Sequence, residues 1–378
     1  MRKFGLLSFG ILIYLFSYTQ VNITFQILKV PASHRMDSIF LAGNFNSWSP
    51  NNSEYVFPAA INGSTSFTTR LAKGLYEFKC TRGDWAKGEV SSIGKDIPNR
   101  VLKILHDTTV TITIAGWKDD FPSSQASKKH SASSQVHIID SAFSIPQLNR
   151  SRRIWVYLPK DYSISHKRFP VIYMHDGQNL FDQYTAGFGE WGIDEFLDSL
   201  PKKDPEVIVV GIDNGPKRMN EYNPFEFRNF GKGEGDAYVT FLAETLKPFI
   251  DKNYRTKADK MHTIIAGSSM GGLISLYAVL KYPNVYGGAG IFSPAFWTAP
   301  KLDSVINTFP VSIKAKLFFY AGGKESKEMI PDMQRIEFLI RKHNPGTSIK
   351  EITDPNALHN ETAWQQYFPK FYNWMFGY

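Results

Sequence analysis

The stretch "TIIAGSSMGGLISLYAVLKYP", Thr263 to Pro283, decides the fold. A short apolar run leads into Gly-Ser-Ser-Met-Gly-Gly, and an apolar helical pattern follows. Three glycines and two serines therefore sit on a sharp corner between a buried strand and a helix. Gly267-Ser268-Ser269-Met270-Gly271 fits Gly-x-Ser-x-Gly, and only Ser269 occupies the serine slot. A nucleophile at the tip of a strand lies in a strained turn, so the residues two away must lack side chains. The next residue, Met270, then offers its backbone N–H to a developing oxyanion at the start of the helix. Ser268 reads as structural. Glycine-rich strand-to-helix turns also cradle phosphates, so the partners must decide.

A serine needs a base, and the base needs an orienting acid. With a Gly-x-Ser-x-Gly corner the chain order is serine, acid, histidine. Downstream of Ser269 stand only His343 and His359. His343 lies in "RKHNPG" at the end of a charged helical stretch and reads as a cap. His359 lies in "DPNALHNETAW", after the last strand pattern and before the last helix, where the base belongs. The acid is expected just after "AKLFFYAGG". Glu325 is best placed, with Glu328, Asp332 and Asp354 as competitors. A second oxyanion donor is expected from the loop in "VIYMHDGQNLFD", where Gly177 permits close approach and the N–H of Gln178 is the candidate. His175 precedes the serine and reads as structural. Asp176 and Asp182 form no convincing metal set, and no metal or cofactor is expected.

Working outward, alternating strands and helices run from about residue 136 to the C-terminus. "HIIDSAFS" and "RRIWVYLP" read as a leading antiparallel pair. "FPVIYMHDG" and "PEVIVVGIDNG" are nearly continuous apolar runs, as buried parallel strands are. "YVTFLAETLKPFIDKNY" reads as one amphipathic helix. This pattern predicts a mostly parallel sheet covered on both faces over 136–378. Residues 20–117 differ. "VNITFQIL", "SIFLAGNF", "TSFTTRL", "LYEFKCTRG" and "TTVTITIAGW" are short, β-branched and aromatic, and predict an all-β immunoglobulin-like sandwich. Between them, 118–135 is polar and serine-rich and reads as a linker.

The N-terminal 19 residues carry Arg2 and Lys3, then an apolar run, then Ser17 and Thr19 at small-residue spacing. They read as a signal peptide, so the protein is expected to be secreted or periplasmic, with no membrane association after cleavage. The formal charge is +8, or +6 without Arg2 and Lys3. The basic residues are scattered, which argues against nucleic acid. Cys80 is the only cysteine, so an intramolecular disulfide and a cysteine metal site are both excluded.

Together "VYLPKDY", "VIYMHDGQNLFD", "EWGIDEFLDSL", "VIVVGIDNGPKRMNEYNPF", "AGSSMGGLISLYA", "AGGKES" and "LHNETAW" resemble the esterase D-like branch of the α/β-hydrolases. That group includes feruloyl, acetylxylan and siderophore esterases and mycolyltransferases. The resemblance implies a triad of Ser269, Glu325 and His359. "LAGNFNSWSP", "YEFKCTRGDW" and "IPNR" resemble starch- and glycogen-binding modules. That resemblance implies Trp48 and Trp85 as sugar-stacking rings, with Lys79 and Asn99 bonding to hydroxyls. Two indoles on one groove would cover the apolar faces of glucose units. Trp117 reads as packing.

The expectation is a serine esterase acting on a carboxylic ester, on or near a polysaccharide, either an α-glucan or a plant cell-wall glycan. A siderophore or other cyclic-ester hydrolase, or an acyltransferase, is the alternative on the same residues. A non-catalytic glycan-binding protein is the third reading.

Overall fold

The computed structural model describes residues 20–46, 48–58, 64–121, 129–201, 204–227, 231–308 and 313–377. The expected signal peptide, and 122–128 of the expected linker, lie outside them. Among the described residues no helix is long and apolar enough to cross a membrane. The chain divides into two compact units, Met1–Ser124 and Gln125–Tyr378.

The first unit is built from strands: β1 (Gln20–Lys29), β2 (Ile39–Gly43), β3 (Val56–Phe57), β4 (Thr65–Ala72), β5 (Gly74–Thr81), β6 (Glu89–Val90), β7 (Arg100–Ile104), β8 (Thr108–Thr113) and β9 (Gly116–Trp117). They form sheets in the orders β4-β1-β8, β3-β2-β5-β7 and β6-β9. Alternate residues of β1 point inward: Ile23, Phe25 and Ile27 are wholly buried. They share one core with Leu41, Phe78, Cys80 and Ile104 from the four-stranded sheet. Trp117 is wholly buried in this core, under the Arg82 guanidinium.

The second unit holds an eight-stranded sheet: β10 (Val136–Ile145), β11 (Arg150–Tyr157), β12 (Val171–His175), β13 (Ile208–Ile212), β14 (Thr263–Ser268), β15 (Gly288–Phe292), β16 (Lys316–Gly322) and β17 (Ser348–Asp354). Their order is β10-β11-β13-β12-β14-β15-β16-β17. β10–β11 and β11–β13 pair antiparallel, and every pair from β13 to β17 is parallel. Side chains alternate between two cores: Val171 and Tyr173 of β12 enter one, Ile172 and Met174 the other.

Among the described residues, eight helices flank the sheet: α1 (Ile193–Ser199), α2 (Arg218–Glu221), α3 (Gly235–Phe241), α4 (Lys247–Asn253), α5 (Met270–Lys281), α6 (Leu302–Thr308), α7 (Met329–His343) and α8 (Glu361–Phe376). The single helix expected over 238–254 is interrupted by a wide, π-type turn at Leu242–Leu246. Pro248 follows directly. It has no N–H to give, and its ring crowds the carbonyl four residues back, so the helix widens there. The end of the expected linker is fastened: the Ser131 and Ser133 N–H groups donate to Asp182 and Asp194.

The strand order places the site. From β12 the chain passes to β13 on one flank, then crosses back to β14 on the other. β12 and β14 are neighbours whose following loops diverge, and a crevice opens beyond the carboxyl ends of such strands.

Candidate active site

Ser269 stands between β14 and α5 with φ 58° and ψ −119°. A non-glycine residue at positive φ costs of order 1–3 kcal/mol and persists only where its surroundings hold it. Here its N–H donates to the Phe292 carbonyl at 2.9 Å, while its own carbonyl accepts the Ala295, Gly272 and Leu273 N–H groups at 3.0–3.2 Å. Gly267 is required sterically, while a Cβ on Gly271 would sit 3.3 Å from the His175 Cβ. A Cβ on Gly267 would lie 2.9 Å from the His175 ring and 3.0 Å from the Gly271 backbone. Ser268 is buried and pairs with Phe292 across the sheet.

Glu325 follows β16 and His359 follows β17, two parallel strands along the same edge. His359 Nδ1 lies 2.7 Å from Glu325 Oε2. The carboxylate is buried, whereas the imidazole is about one-third exposed. Glu325 Oε1 accepts from the Ser293 hydroxyl and the Gly322 N–H, both at 2.6 Å. Ser293 in turn accepts the Trp364 indole N–H at 2.9 Å, and the Trp364 ring stands edge-on to His359 at 5.1 Å. With Nδ1 bound to the carboxylate, the Nε2 of His359 is the nitrogen left for chemistry.

Two of the three competing acids are engaged elsewhere. Asp354 accepts the Tyr367 hydroxyl and the Asn356 N–H, which hold its carboxyl below the ordinary value. Asp332 pairs with Arg335, and Glu328 is the residue preceding α7. His343 ends α7. His175 is buried against the Tyr238 hydroxyl at 3.1 Å, and burial lowers its pKa to about 3.

Met270 is the first residue of α5, so its N–H has no carbonyl a turn behind it. Gln178 lies in the short turn Gly177–Asn179 after β12. A Cβ on Gly177 would come within 2.8 Å of the Gly211 and Ile212 backbone, so only glycine lets this turn lie on β13. Asp176, at φ 58°, is clamped by Arg218 through bonds of 2.7 and 2.8 Å and by Asn214 at 2.6 Å. Burial opposes ionisation of Asp176, but Arg218 prevails and keeps its pKa low.

Sequence reasoning missed Ser293, Arg218 and Glu361. Glu361 is buried two residues after His359, accepts from Asn179 at 3.3 Å, and is pushed by burial up to about 7. Nothing local marks Ser293 or Arg218.

In the first unit Trp48 and Trp85 follow β2 and β5. Their half-buried rings lie 6.2 Å apart at 43°, and Trp48 has φ 59°. Lys79 lies on β5 beside the inward Cys80, so it points to the opposite face; burial lowers its pKa. Asn99 donates to Glu77 of β5 at 3.1 Å, two residues from Lys79.

The Esterase family model matches residues 145–374. The chain belongs to the esterase family. This esterase is 29% identical over 182 residues to an endo-1,4-beta-xylanase/feruloyl esterase of Xylanibacter ruminicola, covering 46% of this chain and 23% of that one. It is 38% identical over 101 residues to an alpha-amylase of Niallia circulans, covering 26% of this chain and 8% of the amylase. Both relatives extend far beyond the matched region. Among solved structures, an IroE-like serine hydrolase from Shewanella oneidensis superposes with a TM-score of 0.52 at 19% identity, covering 65% of this chain and 79% of that one. At that identity the likeness shows the fold. The family marks a carboxylic ester hydrolase, and an iron(III) salmochelin esterase of Escherichia coli, 28% identical over 157 residues, is also among the relatives, covering 41% of this chain and 35% of that one.

Proposed function

We propose that this esterase is a secreted serine hydrolase that cleaves a carboxylic ester on or near a polysaccharide. The observation that carries the reading is the 2.7 Å bond from His359 to the buried Glu325, beyond the strand edge that also presents the strained Ser269. In this reading His359 Nε2 takes the Ser269 proton as Oγ attacks the ester carbonyl. The N–H groups of Met270 and Gln178 hold the oxyanion. His359 then protonates the leaving alcohol, and the acyl group stays on Ser269. Water, deprotonated by His359, releases the acid and restores the serine. Glu325 fixes the tautomer and offsets the imidazolium charge at each transfer.

We read the first unit as an immunoglobulin-like carbohydrate-binding sandwich, with Trp48 and Trp85 stacking on sugars and Lys79 and Asn99 bonding to hydroxyls. The amylase match supports an α-glucan-like ligand, and the xylanase/feruloyl esterase match supports a cell-wall ester. Holding the enzyme on its polymer would raise local substrate concentration by about 10²-fold where both sites engage.

The test is hydrolysis of p-nitrophenyl acetate by the wild type and by Ser269→Ala, with circular dichroism as the folding control. Turnover in the wild type and none in a folded Ser269→Ala supports the reading. Equal turnover in both removes Ser269 from the mechanism. Feruloylated xylan and a cyclic siderophore ester, assayed side by side, then separate the two substrate classes.

A further inference from the structure

Glu361 is a buried carboxyl that the proposed reaction does not use. It is the first residue of α8, two residues after His359. An acid in the first turn of a helix ordinarily serves the unpaired N–H groups there. That work falls to Asn360, whose side chain accepts the Ala363 N–H at 3.0 Å. Glu361 instead reaches across the fold. Its Oε1 accepts from the Asn179 side-chain amide at 3.3 Å, a contact between residues 182 apart in the chain. Gly189, at φ 129°, makes room for it, since a Cβ there would lie 3.2 Å from the Glu361 Cβ.

Asn179 closes the short turn that carries Gln178. Every part of this turn is anchored. The Gln178 carbonyl accepts the Thr185 hydroxyl at 2.7 Å, and its side-chain oxygen accepts the Asn214 N–H at 3.1 Å. The Asn179 N–H donates to the Asp176 carbonyl, and the Asn179 carbonyl accepts the Trp191 N–H, both at 2.8 Å. The Asn179 side-chain oxygen accepts the Gly187 N–H at 3.0 Å. These bonds tie the turn to its own loop and to the end of β13. The bond to Glu361 ties it to the histidine side. The path is short: Gln178 to Asn179, across the hydrogen bond to Glu361, and back two residues to His359. Each covalent step spans about 3.8 Å between Cα atoms. The bond therefore sets how far the candidate oxyanion donor stands from the candidate base.

We propose that Glu361 is a positioning residue that, through Asn179, holds the Gln178 N–H in register with His359. The role rests on the serine-hydrolase reading of Ser269, His359 and Gln178. An oxyanion donor acts within about 2.7–3.1 Å of the developing charge. The base must reach the same tetrahedral centre from a different loop. When two such loops drift apart, both groups lose effect, because a misplacement of about 1 Å costs about 10²-fold. The role asks for an acceptor oxygen at position 361 and not for its charge, so the amide of glutamine can fill it.

The test is steady-state hydrolysis of p-nitrophenyl acetate by the full chain. The variants are Ser269→Ala, Glu361→Ala, Asn179→Ala, the double Glu361→Ala/Asn179→Ala, and Glu361→Gln, each checked for folding by circular dichroism. Glu361→Ala should lower kcat about tenfold with KM within about twofold, because transition-state placement is what is lost. The double variant should be no slower than the slower single, because both singles remove one link. Glu361→Gln should recover most of the kcat lost in Glu361→Ala. A packing role alone would lower the melting temperature without that coupling or recovery. If Glu361→Ala does not fold, Asn179→Ala carries the test and should show the same fall in kcat at near-constant KM. Full kcat in Glu361→Ala, losses that multiply in the double variant, or Glu361→Gln as slow as Glu361→Ala overturns the role while Ser269→Ala stays inactive. Turnover absent from the wild type or surviving in Ser269→Ala overturns the serine reading, and this role with it.

Discussion

The Ser269 corner and the Trp48–Trp85 pair are both small groups of side chains on loops, but they are held differently. Ser269 is fixed by four backbone hydrogen bonds, the sterically forced Gly267 and a parallel sheet on either side. The indoles hang from turns and touch one another across 6.2 Å. In the proposed function, bond-making at Ser269 demands placement within fractions of an ångström, which the backbone over-determines. Stacking on sugar rings would tolerate adjustment, so the indoles need only be broad, flat and half-exposed.

Four substitutions sharpen or break that contrast. Ser269→Ala should lower kcat by about 10⁴-fold or more while the protein remains folded, measured on a soluble ester. Ser293→Ala comes next. It removes a hydrogen bond to the buried Glu325 carboxylate, worth about 1.5–3 kcal/mol, so kcat should fall about ten- to a hundredfold with KM nearly constant. If KM changes instead, Ser293 shapes the pocket rather than positioning Glu325. Trp85→Ala should weaken amylose or xylan binding by about tenfold, one stacking contact of roughly 1.4 kcal/mol, and leave soluble-ester turnover unchanged. A loss of soluble-ester activity would show that the two regions are not independent.

The smallest effect concerns pH. Burial raises Glu361 from 4.5 to about 7. Between those values the unfolded chain has lost a proton that the folded one keeps, so stability falls as pH rises through this window and levels off above it. Glu361→Gln should flatten that slope in urea unfolding measured from pH 4.5 to 8. An unchanged slope would place the titration elsewhere.

The strand, corner and helix around Ser269 were legible because close backbone packing forces glycine at fixed spacing, and spacing is what a sequence displays. The adjacency of Glu325 and His359 was legible through chain order, since consecutive parallel strands deliver their following loops to one edge. Ser293 was not. It lies one residue beyond β15 at φ 44°, and its relation to Glu325, 32 residues later, exists only once β15 and β16 are side by side. Arg218 was hidden for the same reason, because its partner Asp176 lies 42 residues earlier. The wide turn at Leu242–Leu246 was missed because apolar periodicity runs through it, while the proline that forces it sits just beyond.

Trp364 reaches both members of the Glu325–His359 pair, through its N–H to Ser293, which donates to Glu325, and through its ring, perpendicular to the imidazole at 5.1 Å. An imidazolium quenches indole emission more than neutral imidazole does. In the proposed mechanism the protein thus carries an internal optical reporter, whose fluorescence should dim and recover as His359 takes and returns the Ser269 proton.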